Sequence, residues 1–168
     1  AITIESWVYP NSLVAEGEIA MVIVLRNPFY LGIIAANNYI IFQTELALPG
    51  VPSGDQERLS SARNVITETG RWYHIAATFG PEGSVKRMRL YLNGRQIAVS
   101  EELSGNSYIY YGGFSDEEKL FIGKPSFECC YFNGKIDEVR IYKRNLTAFE
   151  IQQYYAEGAK KRGIAVND

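Results

Sequence analysis

Asn93 and Gly94 stand between two apolar-rich runs, Met88–Leu92 and Gln96–Val99. Asn-Gly is the pair favoured by the two-residue type I′ turn, whose central positions both need positive φ. This stretch is therefore predicted to be a β-hairpin, and a hairpin is stable only when further strands cover its apolar face. Such strands are legible on both sides. Residues 72–79 alternate: Tyr73, Ile75, Ala77 and Phe79 share one face, and Trp72, His74, Ala76 and Thr78 the other. Ile2–Tyr9, Leu120–Gly123 and Lys135–Tyr142 also read as strands. So do Tyr30–Ala36 and Tyr39–Leu46, with Asn37-Asn38 as a two-residue hairpin turn between them. Glu18–Arg26 is a nearly continuous apolar run. It suits a strand covered on both faces and, on periodicity alone, also a short buried helix.

One helix is well specified. Thr147-Ala148-Phe149-Glu150 has the form of a capping box, and Leu146 and Ile151 are placed for a hydrophobic staple. Ile151, Tyr154 and Tyr155 form its apolar stripe, and Gly158 is expected to be its C-terminal cap. Many short strands and one terminal helix predict an all-β fold: a two-sheet antiparallel jelly-roll sandwich with one short C-terminal α-helix. At 168 residues the chain fits one domain. Residues 1–158 are assigned to it and 159–168 to a basic tail or linker, with Lys160-Lys161-Arg162-Gly163 read as solvated. The chain opens inside a strand-like run without Met or a charged leader. It is expected to be an excised domain or mature fragment of a larger multidomain protein.

Charge narrows the partners. With 17 Lys+Arg against 19 Asp+Glu, an affinity resting on many neutralised phosphates is not expected, so nucleic acid is set aside. No apolar run approaches the ~18 residues of a membrane span, so membrane insertion is not expected. Three stretches are longer than strand connection requires: Ala47–Arg63, Gly105–Lys119 and Lys124–Gly134.

Five segments in order resemble a known family. They are Ile4-Glu5-Ser6-Trp7-Val8-Tyr9-Pro10; Gly70 to Phe79; Leu90-Tyr91-Leu92-Asn93-Gly94; Leu120-Phe121-Ile122-Gly123; and Gly134 to Tyr142 running into Leu146-Thr147 and the capped helix. Together they resemble the laminin-G-like, or concanavalin A-like, jelly-roll domains, in particular the subgroup allied to pentraxins. The resemblance implies two antiparallel sheets, one of them concave, and an extracellular or cell-surface location. It also implies an earlier N-terminal strand and loop, often the source of an acidic calcium ligand, which this sequence does not include before Ile2.

The chemistry points to binding. No G-x-S-x-G, H-E-x-x-H, Walker A or G-x-G-x-x-G occurs, and Gly123-Lys124-Pro125 lacks the spacing of a P-loop. His74, the single histidine, lies mid-strand among aromatics and is expected to be a packed or surface strand residue. Adjacent Asp137 and Glu138 point to opposite faces of a regular strand and cannot act as a glycosidase pair. Glu138 and Arg140 share a face and are expected to pair. Asp137 is placed with Val139 and Ile141, both expected in the core, and so needs hydrogen-bond donors or a cation. The aromatic surplus, with 12 Tyr, is the strongest positive signal. Tyr108, Tyr110, Tyr111 and Phe114 beside Asn106 could stack on sugar C–H faces with a polar rim, or could simply pack on a sheet. Asp116, Glu117, Glu118 and Asp137 are the candidate hard-oxygen ligands for a calcium cofactor. Cys129 and Cys130 are either two thiols or a vicinal disulfide. In the second case, with Phe127, Tyr131 and Phe132, they would form a rigid apolar ledge for a ligand. Asn145-Leu146-Thr147 fits the glycosylation sequon, but Thr147 is already explained as the helix cap. The expected function is a non-catalytic extracellular module that recognises carbohydrate, on a glycan or glycoprotein surface. The alternatives are a structural or adhesive protein–protein module without a sugar site and, behind it, a polysaccharide-cleaving enzyme.

Overall fold

The computed structural model describes residues 1–13, 19–25, 29–34, 38–47, 55–104, 106–109, 119–124 and 130–166. The strands are β1 (Ile2–Pro10), β2 (Ile19–Leu25), β3 (Phe29–Ile34), β4 (Tyr39–Ala47), β5 (Asp55–Ser60) and β6 (Tyr73–Glu82). They continue with β7 (Val85–Leu92), β8 (Arg95–Val99), β9 (Leu103–Ser104), β10 (Tyr108–Ile109), β11 (Leu120–Ile122) and β12 (Gly134–Tyr142), and the chain closes with helix α1 (Ala148–Lys161). Two six-stranded antiparallel sheets form. One runs β12-β1-β6-β7-β8 with β9 also on β7; the other runs β10-β4-β3-β2-β11 with β5 also on β4. This is the predicted jelly-roll sandwich with one terminal helix.

The sheets enclose one core. Ile4, Val8, Ile75, Ala77, Phe79 and Leu90 from the first sheet meet Val22, Ile23, Ile40 and Phe42 from the second. The predicted faces of the 72–79 run hold, since Tyr73, Ile75, Ala77 and Phe79 all enter this core. The 18–26 run is a strand, and an irregularity between Met21 and Ile23 buries the neighbours Val22 and Ile23 together. At the hairpin, Asn93 and Gly94 have φ of 49° and 76°, as the primed turn requires.

Two connections differ from expectation. The last registered pair of β3 and β4 is Ile34 with Tyr39, so four residues rather than two join them; Asn38 still takes a positive φ of 44°. The 47–63 stretch contains β5, paired with β4 from Asp55 to Ser60. Its sequence is polar because it is paired on one side only, and Leu59 alone is buried.

The first sheet is covered on its outer face by α1, so β1 is buried on both sides. Thr3 joins the helix entry to β1: its Oγ1 donates to the Arg144 carbonyl and accepts from the Leu146 N–H, both at 2.8 Å. The capping box is complete, with the Glu150 N–H donating to Thr147 Oγ1 and the Thr147 N–H to Glu150 Oε2. Arg144 and the Thr147 donors hold the Glu150 carboxyl down to about 2.

Gly158 is not the cap. The helix continues to Lys161, because Gly158 lies inside it against Trp7, where a Cβ would come 2.4 Å from the indole Nε1. The C-terminus is a Schellman turn: the Gly163 N–H donates to Lys160 O and the Ile164 N–H to Ala159 O, with Gly163 at φ 66°. Asn145 is half-buried, and a Cβ on Gly80 would fall 2.3 Å from its side chain.

Thr147→Ala should lower stability by about 1 kcal/mol, as loss of a cap does, measured by thermal melting. Gly158→Ala should destabilise by about 2 kcal/mol in chemical denaturation. The clash with Trp7 outweighs the ~1 kcal/mol that alanine gains in helix propensity.

Candidate functional site

The outer face of the first sheet carries an unusual set of side chains. Glu5 and Trp7 on β1, and His74 on β6, are essentially inaccessible to solvent. Glu5 Oε1 accepts from Arg140 Nη1 at 3.0 Å and from the Tyr142 hydroxyl at 3.2 Å. Its Oε2 lies 3.4 Å from His74 Nε2, close enough for an ion pair but without hydrogen-bond alignment. Burial pushes the Glu5 carboxyl up, but His74 and Arg140 outweigh it and the group sits below the ordinary glutamate range. Tyr142 moves the opposite way, raised by burial and by Glu5.

An extra residue in β12 tunes this face. Glu5 pairs with Arg140 and Trp7 with Asp137, so three steps on β12 match two on β1, and Glu138 takes φ of 48°. The bulge reverses the alternation. Ile136 and Val139 both turn to the core, while Asp137 turns outward and is exposed. The expected placement of Asp137 with core residues Val139 and Ile141 is therefore corrected, and Ile141 is itself 41% exposed. The predicted Glu138–Arg140 pair is present at 2.7 Å. Burial raises the Glu138 carboxyl, but Lys161, Arg140 and Arg162 hold it below its usual range.

Arg162, read from sequence as part of a solvated tail, is packed, its side chain 9% exposed. Its guanidinium sits 4.4 Å from the Trp7 ring centroid and 4.9 Å from that of Trp72, and it pairs with Asp137. Tyr155 stacks on Trp7 at 5.7 Å, and Trp72 meets Tyr9 edge-on at 5.4 Å.

These contacts leave a groove between the end of α1 and the β7–β8 turn. A cavity of about 200 Å³ is lined by Tyr9, Gly70, Arg71, Trp72, Asn93, Tyr155 and Ile164. A second, of about 400 Å³, continues past Asn93 and Tyr155 to Arg95, Ile97 and Ala165. Its walls are held independently of any ligand. The Asn93 Oδ1 accepts the His74 backbone N–H at 2.9 Å, while its Nδ2 has no partner among the described residues. A Cβ on Gly94 would come 2.9 Å from the Tyr155 ring, so the turn and the helix meet only at a glycine. The Gly70 N–H donates to Pro10 O, and Tyr73 OH bonds both backbone groups of Glu68, which pins the loop carrying Arg71.

The sequence profile of the concanavalin A-like lectin/glucanases superfamily matches residues 1–152. The chain belongs to that superfamily. Several solved structures have a similar fold. A SAP-like pentraxin from Limulus polyphemus aligns with 15% identity and a TM-score of 0.60 over 92% of this chain and 69% of its own. The CBM40 of the Ruminococcus gnavus IT-sialidase gives 15%, 0.66, 92% and 82% respectively. The receptor-binding domain of botulinum neurotoxin type G gives 16%, 0.55, 94% and 38%. At such identities the likeness is one of fold. No curated protein matches by sequence.

Within this lectin-like frame the sequence-predicted residues fall in separate places. Tyr108 is 41% exposed on β10, with exposed Asn106 just before it; Tyr131 is 51% exposed and bridges to Met21 on β2. Tyr108 pairs with Ala47, whereas Met21 lies in register with Gly32 and Ile41, with β3 between. Six residues of β4 separate those positions, roughly 20 Å, so the two tyrosines do not share a platform. Tyr110, Tyr111, Phe114, Asp116, Glu117, Glu118, Phe127 and Cys129 lie outside the described residues. Cys130 is disulfide-bonded, in a chain containing two cysteines, and has φ of 64°. Asp137 is exposed, with its Oδ1 accepting the Glu138 N–H and its Oδ2 pairing with Arg162. No cluster of three metal-ligating side chains occurs among the described residues.

Glu5 gives a pH prediction. Its folded pKa is depressed, so the stability it contributes is complete above about pH 4.5 and fades as the pH falls through the folded value. Glu5→Gln should lower stability by about 3 kcal/mol at neutral pH and flatten the acid limb of stability against pH.

Proposed function

We propose that this domain is a non-catalytic extracellular binding module that recognises carbohydrate, on a free glycan or a glycoprotein, and that the groove at the end of α1 is its site. One observation carries the reading: three aromatic rings, Tyr9, Trp72 and Tyr155, line a concavity together with the amide of Asn93 and the guanidinium of Arg71. Sugars present apolar C–H faces and a ring of hydroxyls. A site for them needs flat aromatic surface and a few fixed polar groups, which this groove provides. The superfamily supports the reading. So does the CBM40 described in complex with alpha2,3 sialyllactose. The disulfide at Cys130 favours an oxidising, extracellular compartment. His74 and Glu5 lie under the helix, and Glu138 is occupied by Arg140 and Lys161; none is presented as an acid or nucleophile.

Leu120 and Ile122, 43% and 50% exposed on edge strand β11, favour a second reading, a protein–protein contact surface. A glycan array decides between the two: binding is expected for the first and silence for the second. Trp72→Ala should weaken glycan binding at least about tenfold. Calcium at Asp116, Glu117, Glu118 and Asp137 is a separate proposal. Calorimetry with calcium against an EDTA-treated control should show heat, and its absence would remove the cation from the account.

A further inference from the structure

The groove carries a charge pattern that the chain as a whole does not. Acids outnumber bases, at 19 against 17, yet the charged residues lining the two compartments are Arg71 and Arg95, with no acid among them. The two compartments share Asn93 and Tyr155, and each holds one arginine. Arg71 is half exposed, and its Nη1 donates to Glu68 Oε2 at 3.0 Å, leaving the rest of its fork available. Arg95 is exposed and makes no ion pair among the described residues. Lys135, outside the lining itself, places a further cation 5.0 Å from the ring of the lining residue Tyr9.

From this we infer that the ligand is an anionic glycan of at least two sugar units, with carboxylate or sulfate groups meeting Arg71 and Arg95 while the rings lie on Trp72 and Tyr155. The inference rests on the glycan reading above and adds the charge and the minimum length. A guanidinium offers parallel N–H donors that match the oxygens of a carboxylate or sulfate, and such charge-assisted bonds are about twice as strong as neutral ones. A neutral sugar would leave the Arg95 fork, and the part of the Arg71 fork not held by Glu68, hydrated. Asn93 lines both compartments, and its Nδ2, without a partner among the described residues, is a donor for which a glycosidic or ring oxygen is the matching acceptor.

The test is an array of matched glycans in which each neutral backbone is also present in carboxylated and in sulfated form, probed with the wild type, with Arg95→Gln, and with Arg71→Gln combined with Arg95→Gln. The wild type should prefer acidic members over their neutral partners by about tenfold or more, the gain of one good charge-assisted contact. That preference should shrink as salt is raised, and should fall in Arg95→Gln and further in the double variant. The carboxylate and sulfate arms identify which anion is taken. Arg95 is exposed and without an ion pair, so its single variant keeps the test valid should the double variant fold poorly. Equal binding of neutral and acidic members, or an undiminished preference in Arg95→Gln, overturns the anionic assignment while leaving glycan recognition in place. Silence of the wild type on every glycan overturns both.

Discussion

The contact between the Trp7 indole and Gly158 governs the outer half of this domain. Trp7 sits on β1, paired on both sides, and is fully buried only because α1 lies directly on it. The helix can approach that closely at a residue without a side chain and nowhere else along its length. Once it does, Tyr155, one turn earlier, stacks on the same indole, and Arg162, one turn later, also packs over it. The ring thus sets both the depth and the rotation of the helix. Buried aromatic contacts of this kind outweigh the modest propensity of a fourteen-residue helix containing a glycine.

The bulge at Glu138 is the second constraint, and it is electrostatic in effect. Without the extra residue, Asp137 would point into the core and Arg162 would lose its pair with Asp137. With it, Asp137, Glu138 and Arg140 line the helix-facing side and meet Lys161, Arg162 and Glu5 as a connected set of charges, with His74 packed beside Glu5. Removing Glu5 from water is unfavourable by itself, and only several partners together make its ionised form the stable one. The network ties β1, β6, β12 and α1 into one unit beneath the groove.

Much of this was legible in the sequence. Alternation in the 72–79 run, the Asn93-Gly94 turn and the capping box each rest on local rules, and each corresponds to what is observed. What escaped depends on contacts distant in sequence. A bulge leaves no local mark, so strict alternation placed Asp137 on the wrong face. Gly158 followed by Lys160-Lys161-Arg162 resembles a helix end, and only Trp7, far away in the chain, explains why a glycine belongs inside the helix. Edge strand β5 was hidden because pairing on one side asks for almost no apolar residues. The groove residues were visible singly, in the polar-face member Trp72 and the helix stripe member Tyr155. Joining them required knowing that the helix crosses that same face of the sheet.

The geometry also bears on the site proposed above. A binding surface is effective when its groups are already held in place, so that little freedom is lost when a ligand arrives. Tyr155 is held by Trp7, Trp72 by Tyr9 and Arg162, and Asn93 by its bond to the His74 backbone. The Schellman turn then sends Ile164 and Ala165 back past the hairpin and completes the wall on the helix side. Donors with spare capacity in this framework are the Asn93 Nδ2, the Arg95 fork and the part of the Arg71 fork not held by Glu68. A rigid aromatic groove with these spare donors, two of them charged, would be matched by a partner rich in oxygen acceptors and carrying negative charge, the kind of ligand proposed above.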